Sequence, residues 1–179
     1  MRRAHSDRHA ARMWWNILMS PAPKTSSNAP LDEVDRVLIT ELLADARISN
    51  AALAQRAGIA PSTALLRTRQ LVERGIIEGY HARLNLPAVG RSVQALISVK
   101  LRVHDRVQID RFTGRVPQLP EVLSFFHVSG GTDYLLHVAV PSTEALRDWV
   151  LDHLATDEAV GHTETTLVFD HVQGQAGPL

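Results

Sequence analysis

The sequence has 179 residues, enough for one large domain or two small ones. With 45% hydrophobic and 21% charged residues its composition is that of an ordinary folded protein, and no apolar run reaches the roughly 18–20 residues of a membrane-spanning helix. The lack of cysteine excludes a disulfide framework, a thiolate metal site and a cysteine nucleophile. It is also typical of the cytoplasm, which is the expected compartment.

The charges are distributed unevenly along the chain. Basic and acidic residues number 19 each, so the whole chain is neutral. Residues 1–30 nevertheless carry a net charge of +4, residues 31–83 are neutral, and residues 84–179 carry −4. A basic beginning and an acidic end indicate different partners for the two ends.

The first thirty residues are predicted to form a disordered basic tail and linker. Residues 20–30 are rich in Pro, Ser and Ala, as flexible linkers are. Ahead of them a short apolar patch, residues 13–19, follows an arginine-rich start and imitates a signal peptide. Asn16 interrupts this patch and a small-x-small cleavage site is missing, which disfavours secretion and leaves Met19 as an alternative start.

Residues 31–83 are predicted to form a helix-turn-helix domain. A first helix, capped by Asp32, has an apolar face made by Leu31, Val34, Leu38 and Leu42. A second helix, capped by Ser49 or Asn50, ends at Gly58, and a third runs from Pro61 to Arg74. A short strand or hairpin arm is expected over residues 76–84. In domains of this kind the second helix of the pair enters the major groove of DNA.

A connector over residues 84–92 leads to a second domain over residues 93–172, followed by a tail at 173–179. Alternating apolar residues and capping residues predict the order β-α-β, β-α-β, with strands at 93–103, 122–129, 133–140 and 163–169 and helices capped by Asp105 and Ser142. This internal repeat predicts a four-stranded antiparallel sheet with both helices on one face, the ferredoxin-like plan, so the fold class is α+β.

The second of these strands is apolar on both faces. Leu123 and Phe125 alternate with Val122, Phe126 and Val128. A sheet that carries helices on one side needs only one apolar face. We therefore expect the uncovered face to pack against another subunit.

The third helix carries the candidate DNA-binding residues. At 100° per residue, its inner side is predicted to hold Ala64, Leu65, Thr68, Leu71 and Val72. The outer side, with Arg69 beside it, is predicted to hold Ser62, Thr63, Leu66, Arg67, Gln70 and Arg74. Hydroxyls near a helix start bind phosphates or base edges, Arg forks onto guanine and Gln pairs with adenine. A plainly solvated face is the alternative, which the glycine turn and the local excess of arginine disfavour.

Four segments together resemble the Lrp/AsnC family of bacterial and archaeal regulators over residues 31–170. The resemblance implies a winged-helix-like domain that binds double-stranded DNA in a sequence-specific way. It also implies a βαββαβ domain that dimerises, assembles into larger species up to octamers, and binds an amino acid or similar effector between dimers. The segments are residues 31–36 (LDEVDR), 45–50 (DARISN), 71–80 (LVERGIIEGY) and 129–136 (SGGTDYLL).

The loop over residues 130–133 is the candidate effector site. Gly130 and Gly131 let backbone N–H groups approach a small anion, Thr132 completes the loop, and Asp133 is suited to receive an ammonium group. A plain hairpin turn is the alternative. The resemblance adds two threonines near this site, at positions 163 and 165 (Thr163 and Thr165).

The sequence also departs from the family pattern. The family commonly has an acidic and an aromatic residue where Gly131 and Thr132 stand, which leaves the effector's identity and existence open. Ala60 replaces a capping hydroxyl and Leu66 an outward polar residue, so the DNA target is open as well.

Two other functions remain as alternatives. Siroheme decarboxylases resemble the same two-domain plan and would use histidines and arginines of the C-terminal half, and a ligand-sensing partner without DNA binding is also consistent. The nine histidines show no HExxH pattern or close His/acid cluster, and phosphate loops and nucleophile elbows are missing. We therefore expect no metal, no cofactor and no enzymatic activity.

Overall fold

Three short helices build the first part of the chain: α1 (Glu33–Ala44), α2 (Asn50–Arg56) and α3 (Pro61–Glu73). Two predicted caps are confirmed, because Asp32 accepts the Asp35 N–H at 2.8 Å and Ser49 accepts the Ala52 N–H at 3.2 Å. Ala60, which precedes α3, provides no side-chain cap. The core between the helices consists of Leu38, Ile39, Leu53, Ala54, Ala64 and Leu71.

These features come from a computed structural model that describes residues 30–102, 105–172 and 174. Apart from Pro30 and Gly174, the predicted basic tail and the predicted C-terminal tail lie outside the described residues. The chain divides into two compact units, with the boundary between His81 and Ala82. That boundary falls two residues before the one expected from the sequence.

Glycines at left-handed positions end α2 and α3. Gly58 has φ 65° and Gly75 has φ 69°, a region that side chains with a Cβ rarely adopt. At each end two backbone N–H groups fold back onto the last carbonyls of the helix: Gly58 and Ile59 donate to Gln55 and Ala54, and Gly75 and Ile76 donate to Val72 and Leu71. This pattern satisfies carbonyls that a helix end leaves without partners.

The strand expected over residues 76–84 was wrong. In the structure these residues form a bend followed by irregular backbone without a ladder. A strand needs a neighbour to pair its N–H and C=O groups, and the four strands among the described residues all belong to the second unit. The connector after it contains a 3-10 turn, Pro87–Val89.

The second unit has the predicted βαββαβ order. Its strands are β1 (Val93–Leu101), β2 (Val122–His127), β3 (Tyr134–Val140) and β4 (Val160–Val168), and its helices are α4 (Arg106–Arg115) and α5 (Thr143–Val150). The sheet is antiparallel with strand order β2-β3-β1-β4. Asp105 and Ser142 cap the helices as predicted. One apolar core joins the sheet to both helices and includes Ile97, Phe112, Leu136, Trp149 and Leu154.

The predicted alternation of β2 was wrong at its start. The pairing of β2 with β3 shifts between Val122 and Ser124, so one extra residue interrupts the alternation. As a result Val122 and Phe125 both pack against the helix-side core, whereas Phe126 stays half exposed.

None of the described helices has the length and the apolar composition that a membrane span requires.

Candidate nucleic-acid interface and ligand site

The exposed face of α3 is the candidate nucleic-acid interface. Five of the predicted residues lie on it, within an arc of about 120° at 100° per residue. Leu66 stands near the middle of this arc, with 56% of the residue exposed. The remaining four, all exposed, are Ser62, Thr63, Arg69 and Gln70. We refer to these five residues as the α3 outer face.

Two predicted outward arginines turn instead toward α1. Arg67 Nη1 lies 2.5 Å from Asp32 Oδ2 and 3.0 Å from Asp35 Oδ1, and Arg74 Nη1 lies 3.9 Å from Asp35 Oδ2. The interpretation of Arg67 and Arg74 as outward residues was therefore wrong. Both sit at the edge of the outer face, and a long arginine side chain placed there reaches the carboxylates of the neighbouring helix.

The predicted inner side of α3 also needs correction. Leu65 and Val72 are 43% and 42% exposed, whereas Ala64 and Leu71 are fully buried. The core of this small unit is narrow, so it holds only the residues near the centre of the inner face. Leu65 and Val72 lie on its flank.

The charge of Arg67 is paired with the carboxylates of Asp32 and Asp35. The backbone N–H of Asp35, and after it the Arg67 guanidinium, hold the pKa of Asp32 below its usual value. Hydrogen bonds to Asp32 and Asp35 raise the pKa of Arg67 in turn. The charge of Arg67 is thus offset within the protein, and Arg69 is the cation that the α3 outer face presents.

The turn between α2 and α3 is fixed by a side-chain bond. Asn50 Nδ2 donates to the carbonyl oxygen of Pro61 at 2.8 Å, which ties the start of α2 to the start of α3. At the other end of α2, Arg56 pairs with Glu41 of α1. These contacts hold the first turn of α3, with Ser62 and Thr63, in a defined place.

The loop over residues 130–133 is held by β1. Thr132 Oγ1 donates to the Val99 carbonyl at 2.7 Å. Asp133 accepts the Leu101 N–H at 2.7 Å and pairs with Lys100 Nζ at 3.1 Å. The two side chains therefore already have partners within the sheet.

The glycines of this loop leave room around them. Gly130 has φ 115°, and a Cβ placed on Gly130 or Gly131 would meet nothing within 4 Å. Thr163 pairs with Val99 and is half-buried, whereas Thr165 pairs with Ile97 and is exposed. The structure thus brings Thr132 and Thr163 to either side of Val99 and places Thr165 further along β4.

A polar cleft that the sequence did not indicate lies beside α4. Its volume is 330 Å³, and its lining residues are Gln108, Arg111, Arg115, Thr156, Asp157, Glu158 and Ala159. Arg115 Nη2 donates to Asp157 at 2.7 Å and to the His153 carbonyl at 2.9 Å, which forms one wall. The cleft joins parts of the chain about 45 residues apart without a motif, so sequence reasoning had no signal for it.

Groups suited to a zwitterion remain in this cleft. The buried Gln108 Oε1 lacks a hydrogen-bond partner among the described residues. Arg111 and Glu158, both exposed, form no ion pair within that part of the chain. A cation, an anion and an amide acceptor can bind a carboxylate and an ammonium group.

Two histidines of the sheet, His127 and His137, have partners within it. His137 Nε2 lies 3.0 Å from Gln94 Oε1, and His127 stacks on Tyr134 with ring centroids 4.9 Å apart. Burial, and after it the charge of His171, lowers the pKa of His137. Within the described ranges, no three His, Cys, Asp or Glu residues are grouped so that they could hold a metal ion.

A helix-turn-helix unit followed by an α+β ligand domain defines a two-domain DNA-binding regulator, and comparison with known proteins agrees. Residues 31–78 match the winged helix-turn-helix DNA-binding family, and residues 94–176 match the Lrp/AsnC ligand binding domain. The chain belongs to the Lrp/AsnC family of transcription regulators, which confirms the resemblance, the fold class and the predicted regulatory function.

Individual relatives cover most of the chain. The HTH-type transcriptional regulator AldR of Mycolicibacterium smegmatis is 42% identical, over 88% of this chain and 92% of its own. The leucine-responsive regulatory protein of Escherichia coli is 34% identical, over 80% and 87%. A transcriptional regulator of Neisseria meningitidis, solved as a complex with L-Met, has a TM-score of 0.77 at 31% identity, covering 84% of this chain and 96% of its own.

Proposed function

We propose that this regulator reads double-stranded DNA with the α3 outer face and senses an amino acid through its second unit. The observation that carries the DNA proposal is the α3 outer face itself. It presents two hydroxyls in the first turn, an arginine and a glutamine further along, and Leu66 at the centre. Arginine and glutamine are suited to guanine and adenine edges, and leucine is suited to a thymine methyl group.

Binding of Arg69→Ala to DNA tests this proposal. The probe is a duplex that the wild-type protein selects from a random-sequence pool, compared with a scrambled duplex of the same length. If Arg69 contacts a base, the variant loses roughly 1–3 kcal/mol on the selected duplex and less on the scrambled one. Arg106→Ala, which removes the same charge from an exposed position on α4, is the matched control.

Two outcomes would contradict this assignment. An equal loss on both duplexes would make Arg69 a phosphate contact, because phosphates carry no sequence information. An unchanged affinity for both duplexes would contradict the proposal that α3 contacts the bases.

The effector is proposed to be an α-amino acid. The N. meningitidis relative was solved with L-Met, and the second unit matches a ligand-binding family. The loop over residues 130–133, with Thr163 and Thr165, is one proposed site. The α4 cleft is the other, since its polar groups remain available.

We also propose a homo-oligomer, at least a dimer, in the cytoplasm, where bacterial DNA lies. A sheet with helices on only one side leaves its other face for a second copy. Catalysis forms no part of this proposal, because the relatives are named as regulators. Incubation with a siroheme-type tetrapyrrole should leave the absorbance spectrum unchanged, whereas conversion would support the decarboxylase alternative.

A further inference from the structure

Arg67 of α3 and Arg74, which directly follows α3, converge on one carboxylate of α1. Arg67 and Arg74 are seven residues apart, about 10.5 Å along the helix axis. Their Nη1 atoms lie 3.0 and 3.9 Å from the two oxygens of Asp35. Asp35 is 7% exposed, so its carboxylate sits at the junction of α1 and α3. We call these three residues the Asp35 cluster.

The Asp35 cluster adds a directional constraint to the apolar contacts between α1 and α3. Ala64 and Leu71, the buried residues of α3, supply a small and non-directional contact surface. The hydrogen bond from Arg67 to Asp35 depends on direction as well as distance, and the Arg74 ion pair at 3.9 Å adds an attraction from a second position. Because two arginines approach Asp35 from positions two turns apart, they restrict both rotation and sliding of α3 against α1.

Rotation of α3 decides which side chains face the DNA. Neighbouring residues differ by 100° around the axis, so a modest rotation would exchange Leu66 or Gln70 for the flanking Leu65 or Val72. We infer that Asp35 is a specificity-determining positioning residue, which acts through Arg67 and Arg74 and makes no contact with DNA. This inference rests on the proposed role of the α3 outer face.

Arg67 then acts as a positioning residue and not as a DNA contact. An arginine that neutralises a phosphate contributes to the salt dependence of binding, whereas a positioning arginine does not. Removing the charge of Asp35 takes one negative charge away from the surroundings of both arginines, so the local charge becomes more positive. Binding to any DNA should then be retained while the preference for one sequence falls.

The experiment measures the affinities of Asp35→Asn, Arg67→Gln and Arg67→Lys for the selected and scrambled duplexes over a range of salt concentrations. We expect Asp35→Asn and Arg67→Gln to lower the ratio of the two affinities by about tenfold, with the salt slope unchanged. Arg67→Lys keeps the charge but not the forked geometry, so it should lower the ratio less. The Asp35→Asn/Arg67→Gln double variant should lose less than the sum of the two single variants, because both changes break the Arg67–Asp35 pair.

The outcomes separate this inference from the proposed function. A salt slope that falls by about 1 in Arg67→Gln would make Arg67 a phosphate contact and overturn the inference. An unchanged ratio in all variants would overturn it too, even if Arg69→Ala still loses specific binding. If Arg69→Ala binds both duplexes as tightly as the wild-type protein, that result would contradict the proposed function instead. If Asp35→Asn loses its helical circular dichroism, the two Arg67 variants carry the test.

Discussion

At the scale of single residues, hydrogen bonds at the start of α1 couple its cap to α3. Asp32 accepts the Asp35 N–H and also binds Arg67. Both contacts favour the ionised carboxylate, so the pKa of Asp32 lies below the ordinary aspartate value of 3.8. One exposed side chain therefore serves as a helix cap and as a partner of α3.

This coupling predicts a measurable titration. Because the pKa is lower in the folded state, the stability that Asp32 contributes is present above about pH 4 and is lost as the pH falls through the lowered pKa. In an NMR titration of side-chain carboxyl carbons, Asp32 should titrate below 3.8. In Arg67→Gln the pKa of Asp32 should rise only part of the way toward the ordinary value, because the larger cause of the shift, the Asp35 N–H, remains.

A neighbouring carboxylate supplies the control for this titration. Glu33→Gln removes an acidic group from the same turn, and the Asp32 curve should change little in that variant. An Asp32 pKa at or above the ordinary value in the wild-type protein would contradict the bonding described for α1.

At the scale of elements, the second unit offers two places for an amino acid. The side chains of the loop over residues 130–133 are bonded to β1. A ligand that binds Asp133 would therefore have to replace its contacts with Lys100 and the Leu101 N–H. A ligand in the α4 cleft would replace no such contact of its polar side chains, which are those of Gln108, Arg111 and Glu158. The two places predict opposite results for two variants.

Calorimetry with a panel of amino acids distinguishes them. If the loop binds the effector, Asp133→Asn should weaken binding by about tenfold, as expected for a lost charge-assisted bond, and Arg111→Ala should leave it unchanged. If the cleft binds it, the effects should be reversed. Arg147→Ala, on the exposed side of α5, is the control for loss of an arginine. Failure of all tested amino acids to bind the wild-type protein would contradict the proposed effector class.

At the scale of the whole molecule, the face of the sheet opposite its helices bears apolar groups. Side chains that pair directly across β1 and β3 share a face, so Leu96 and His137 lie opposite the core residues Ile97 and Leu136. Phe126, paired with Leu135 on the same face, is 50% exposed. A second copy of the chain would bury this surface.

Light scattering of the full chain tests that assembly. The wild-type protein should have at least the mass of a dimer at micromolar concentration. Phe126→Asp should lower this mass without unfolding the unit, because Phe126 lies outside the buried core. Val107→Asp, at a 72% exposed position on α4, is the matched control. A monomeric wild-type protein would contradict the proposal.

Sequence reasoning was most successful where interactions are local. The caps Asp32, Ser49, Asp105 and Ser142 act on an N–H group two or three residues away, so the sequence contains the whole interaction. The period-two pattern likewise predicted the buried side of β1 correctly. The four family segments identified the class of regulator.

Only the tertiary structure decided the features that depend on distant residues. Arg67 lies 32 residues from Asp35 along the chain, and helical spacing cannot show that a long side chain will lean across to another helix. The register shift in β2 and the loss of a strand at residues 76–84 likewise depend on which neighbour is available for pairing. The sequence alone therefore determined most of the elements and their order, because those follow from local periodicity and capping, and its four family segments determined the family. Folding decided which of the candidate side chains face outward, because that follows from the charges and the space that neighbouring elements provide.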